Sequence, residues 1–154
     1  MSLETIKPPH TYAEWVGVLD KLKDKEDDQE VLQAMLRGTV EWQSGVAERF
    51  SKRLIDTVNH RMNCATDKFQ REISRSLGQE RAIVQALLAL RKELGFLAEA
   101  INLPALPAKD RSHYHQLVIS QADSIQKSLE DSAKKDRTGK MASIVRNNRV
   151  NSFL

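Results

Sequence analysis

The sequence predicts an all-α fold: an elongated helical hairpin or bundle of four to five helices with one long central helix. Three observations predict it. The four prolines stand only at positions 8, 9, 104 and 107, and proline is excluded from helix interiors because it lacks an N–H and clashes with the preceding turn. Between them the apolar residues recur three and four apart, the spacing of one helix face. Leu, Ala, Glu, Lys, Arg and Gln dominate, the residues that favour helix most. Charged residues make up 29% of the chain and aromatics only 5%.

Taken in order, residues 1–10 form an extended lead-in fixed by Pro8 and Pro9. Thr11 and Glu14 make a capping box, so a helix begins at Tyr12. Its apolar face is Trp15, Val18, Leu19 and Leu22. The charged run Lys23 to Asp28 has no core residue and is a solvated linker. It lacks the spaced oxygens and the glycine of a calcium loop. Asp28 caps a short second helix through Val31, Leu32, Met35 and Leu36, and Gly38 ends it.

Thr39 then caps the long helix. Phe50, Leu54, Val58, Met62, Ala65, Phe69 and Ile73 follow on one face. Positions 54 and 65, 58 and 69, and 62 and 73 lie eleven apart, a repeat that keeps the stripe nearly straight. Helix 39–77 alone would be about 58 Å long at 1.5 Å per residue. Ser76 and Gln79 fit a second capping box around Gly78. A hinge or tight reversal there competes with one unbroken helix, in which Gly78 costs about 1 kcal/mol relative to Ala.

Beyond Gly78 the period shifts to a heptad, Ile83, Leu87, Leu90, Leu94, Leu97 and Ile101, which favours left-handed coiled-coil packing. Val84, Leu88 and Phe96 widen this stripe past what two short helices can cover. The expectation is self-association through Leu87, Leu90, Leu94 and Leu97, most simply a two-fold homodimer. Leu103 to Pro107 is a rigid connector of extended polyproline type, or less simply a ligand for an aromatic groove. Asp110 or Ser112 caps the next helix, with Tyr114, Leu117, Val118, Ala122, Ile125 and Leu129 inward. The helical domain thus spans residues 11–133.

Residues 134–154 form a basic, flexible tail in which Met141, Ile144 and Val145 add a turn or two of helix. Net charge is +3 overall, and the tail carries +5 of it against −2 for the remainder. Lys134, Lys135, Arg137, Lys140, Arg146 and Arg149 are candidate phosphate contacts, a mode of binding that is salt-sensitive and mostly non-specific. Only Phe153 interleaves them, so base stacking is unsupported.

Chemistry is sparse. His60 and Cys64 share a helix face near Asp56 and Asp67, but zinc needs three or four ligands. No metal or other cofactor is expected. Thr138-Gly139-Lys140 lacks the earlier glycine and the strand of a P-loop. The lone Cys64 fits a reducing compartment. With no run of eighteen apolar residues and no basic-then-apolar start, neither a membrane span nor a leader is read, so the expected location is cytoplasmic. The expected function is non-enzymatic: a helical adaptor, assembly factor or regulator that binds a protein partner or itself. The alternative is a nucleic-acid accessory protein acting through the basic tail, and an enzyme centred on His60 trails both.

Overall fold

The computed structural model describes residues 6–40, 44–75 and 79–152. Among them are six α-helices and no strand: α1 Tyr12–Lys23, α2 Asp28–Arg37, α3 Ser44–Arg75, α4 Glu80–Ile101, α5 Ala108–Ala133 and α6 Lys140–Asn147. The all-α class and the long central helix agree with the sequence, but the helix count is six rather than four to five. The hinge expected at Gly78 lies outside the described residues. The chain divides into two compact units, one of Met1–Arg61 with Glu99–His115, the other of Met62–Ala98 with Gln116–Leu154.

In the first unit, α1 starts where its capping box puts it. The Thr11 hydroxyl accepts from the Glu14 N–H at 3.2 Å, and the Glu14 carboxylate accepts from the Thr11 N–H at 3.1 Å. Trp15, Val18, Leu19 and Leu22 are buried, as are Val31, Leu32 and Met35 of α2 and Phe50, Leu54 and Val58 of α3. Trp15 packs on Phe50 with ring centroids 4.7 Å apart.

The link between α1 and α2 is a tight turn with Lys25 and Asp27 both at positive φ. Asp27, not Asp28, is the N-cap, and its side chain makes no capping bond. Asp28 is committed elsewhere. Its two oxygens accept from both terminal nitrogens of Arg61, at 2.8 and 2.9 Å, and Arg61 also donates to the Leu22 carbonyl.

The helix start that the sequence assigned to Thr39 falls on residues 41–43, outside the described residues. The Thr39 N–H donates to the Pro9 carbonyl at 3.0 Å, its carbonyl accepts from the Trp15 indole N–H at 3.0 Å, and its hydroxyl sits 2.9 Å from His10 Nδ1. These bonds fasten the lead-in across the end of α2. Gly38 makes the approach possible at an ordinary φ of −72°. A Cβ there would stand 2.6 Å from Trp15 Cζ2 and 2.8 Å from the Pro9 oxygen.

The Leu103–Pro107 segment is a turn and not an extended connector. The Leu106 N–H donates to the Leu103 carbonyl, and both leucines are buried. Helix α5 opens directly after Pro107, whose carbonyl accepts from the Arg111 N–H. Asp110 therefore lies inside the first turn, and neither it nor Ser112 is the cap.

The second unit buries Met62, Ala65 and Phe69 of α3, Ile83, Leu87, Leu90, Leu94 and Leu97 of α4, and Val118, Ala122 and Ile125 of α5. Of the other residues expected inward on α5, Leu129 is half-buried and Leu117 is exposed. Ile144 and Val145 of α6 and Val150 beyond it are buried too. Gln126, also buried, ties these pieces together. Its amide nitrogen donates to the Val145 carbonyl at 3.4 Å, and its amide oxygen accepts from the Val150 N–H at 3.0 Å. Asn151 adds a 2.8 Å bond to Asp123.

Candidate functional site

The second unit carries a groove of about 610 Å³ built from four helices. Phe69 and Ile73 of α3, Ile83 and Leu87 of α4, and Leu129 and Ala133 of α5 form its walls, with Met141, Ile144 and Val145 of α6. These are successive members of the stripes that the helical spacing identified. The polar lining residues Glu80, Ser132, Lys135 and Lys140 are exposed and so mark its mouth.

Asp136 organises that mouth. Its carboxylate accepts from the Met141 N–H at 3.1 Å, from the Thr138 N–H at 3.1 Å and from the Thr138 hydroxyl. It thus caps α6 from outside the helix. The backbone bond from Met141, then those from Thr138, hold its carboxyl below the usual carboxylate range. Because Asp136 already occupies the start of α6, Thr138-Gly139-Lys140 offers no open cradle for a phosphate. This cap is not legible in the sequence, since the carboxylate precedes the helix by four residues and meets it only through a turn at Gly139, whose φ is +75°.

Leu87, Leu90, Leu94 and Leu97, expected at a contact between copies, are at most 3% exposed within the single chain. The large apolar side chains left outside are Leu88 on α4, 37% exposed, and Leu117 on α5, 42% exposed.

Lys134, Lys135, Arg137, Lys140, Arg146 and Arg149 are all exposed. They do not form one uninterrupted patch. Lys134 lies 3.6 Å from Asp131, and Lys134 and Arg149 border a hollow with Asp123, Glu130 and Asp131 of α5. The acidic side of α5 thereby offsets part of the tail's charge. His60 and Cys64 are exposed on α3. Among the described residues no three His, Cys, Asp or Glu side chains gather as a metal site would require, and no helix is long and apolar enough to cross a membrane.

No protein-family model matches the chain, and no curated protein or solved structure matches it.

Proposed function

We propose that the protein is a non-enzymatic helical interaction module that pairs with a second copy of itself through the α4–α5 surface bearing Leu88 and Leu117. The observation that carries this reading is the exposure of those two leucines on helices whose remaining large apolar residues are mostly inside. Each of these two leucines, both in the second compact unit, offers apolar surface that a second copy would cover, and closed pairs are the commonest oligomers. Apolar contact of this kind is insensitive to salt.

Sedimentation velocity of the wild type and of the double variant Leu88→Lys, Leu117→Lys tests the proposal. The wild type is expected to sediment as a dimer and the variant as a monomer with unchanged helix content. A variant that stays dimeric would move the interface elsewhere.

The exposure of all six tail cations supports a second reading, contact with nucleic-acid phosphates. It predicts a complex with a short DNA duplex that forms at low salt and dissolves as salt rises.

A further inference from the structure

We propose that Ser152 is a phosphorylation site, and that its phosphate docks on Arg91 of α4 and fastens the residues after α6 to the second unit. Five hydroxyl residues, Ser74, Ser112, Thr138, Ser143 and Ser152, have a Lys or Arg three positions before them. A serine kinase can read that spacing by seating the cation on its own carboxylates. Ser74, Ser112 and Ser143 stand within α3, α5 and α6, so drawing them into a kinase cleft would unwind a helix. The Thr138 hydroxyl donates to the Asp136 carboxylate at 2.9 Å, and a phosphate there would face that negative charge. Ser152 is exposed, outside a helix and beside an arginine. Arg149 and Arg146, three and six positions before it, are exposed as well. Lifting its segment uncovers one large buried side chain, Val150, a local opening far short of unfolding.

Arg91 stands half-buried on α4, 61 residues away in sequence. Its Nη1 donates to the Ser152 hydroxyl at 3.2 Å, and that hydroxyl donates to the Arg149 carbonyl at 3.0 Å. Arg91 has no ion-pair partner among the described residues. In the transfer the Ser152 oxygen bonds to the γ-phosphorus of ATP, and the bond from that phosphorus to the β,γ-bridging oxygen breaks. ADP leaves with the electron pair, and the hydroxyl proton passes to the catalytic carboxylate of the kinase. The bond to the Arg149 carbonyl is lost with that proton. In exchange Arg91 meets a group of charge about −2 with three acceptor oxygens, and a charge-assisted bond replaces one to a neutral acceptor. Asp123, which accepts from the neighbouring Asn151 at 2.8 Å, sets one negative charge against the two positive charges of Arg91 and Arg149.

The Val150 N–H reports the docking. It donates to the Gln126 amide oxygen, so it exchanges with solvent when the segment lifts. The test treats the full chain with magnesium ATP and a purified calmodulin-activated serine kinase selective for arginine at that spacing. Mass spectrometry should place one phosphate on Ser152 and none on Ser152→Ala. Hydrogen exchange at Val150 should then slow about fivefold, the effect of one exposed ion pair. In phosphorylated Arg91→Gln, with helix content unchanged, exchange should be no slower than before phosphorylation. Two results overturn the site: no incorporation, or incorporation chiefly at the other four positions. Two overturn the docking: unslowed exchange in the phosphorylated wild type, or slowing that persists in Arg91→Gln.

Discussion

Arg61 is the charged side chain most completely buried among the described residues. It is 1% exposed and makes a two-pronged bond to Asp28, whose side chain is 29% exposed. Removing one partner of a buried pair costs about 3–5 kcal/mol because the other is left desolvated. Partial exposure of Asp28 sets the expectation for Arg61→Leu at the low end, about 3 kcal/mol. Chemical denaturation measures it, and Asp28→Asn in the Arg61→Leu background should recover part of the loss. Arg61→Lys should not rescue, since an ammonium lacks the planar fork. Two carboxylates set the acid response. Backbone N–H groups of Met141 and Thr138 hold Asp136 low, and those of His10 and Thr11 hold Glu14 low. A depressed folded pKa means the stabilisation is present in full above the unfolded value, near 4, and is lost as pH falls through the folded one. Melting temperature should therefore decline below about pH 4. The pair Glu14→Gln, Asp136→Asn should start lower at neutral pH and depend less on acid. Sequence placed the Glu14 half of this, because a capping box is local. It missed the bonds of Arg61 and Asp136, which depend on residues 33 positions away in one case and on a turn in the other.

At the scale of elements, periodicity carried far. Every member of the Phe50–Phe69 stripe is buried and only its last residue, Ile73, is half-exposed. The whole Ile83–Ile101 heptad is buried as well. Helix starts were less legible. A polar residue before an apolar run looks the same whether it caps the helix or binds elsewhere, and Asp28 binds elsewhere. The Pro-x-x-Pro link misled for a related reason. Proline stiffness favours an extended chain, but burial of Leu103 and Leu106 folds it into a turn. Among the described residues, the α1–α2 turn is the place where non-glycine residues stand in the left-handed region. Lys25 lies at φ +59°, a conformation that costs a residue bearing a Cβ about 1–2 kcal/mol. Lys25→Gly should relieve that strain, less the greater freedom of glycine in the unfolded chain, for a net gain of about 0.5 kcal/mol. A rise in denaturation midpoint checks it, and a fall would show the turn is not strained.

For the molecule as a whole, the wide stripe on α4 posed a question of coverage. Residues 11–133 taken alone left it under-covered, which argued for a second copy lying on Leu87 to Leu97. The residues after 133 change that account. Helix α6 and Val150 add apolar cover to the second unit, and Gln126 fixes them to α5. Gln126 sits on the Val118–Ala122 face by spacing, but its polar type hid its part in the core. Cover is incomplete in two places, the groove beside α6 and the leucines at 88 and 117, and the pairing proposal rests on the second. The mass of the wild-type protein in solution, read by light scattering after size exclusion at low and high salt, tests pairing most directly. The account predicts twice the chain mass of 17.5 kDa at both salt concentrations, with or without a short DNA duplex. A particle of single-chain mass that grows only when DNA is added at low salt would contradict it, and would place the function in the basic C-terminal residues.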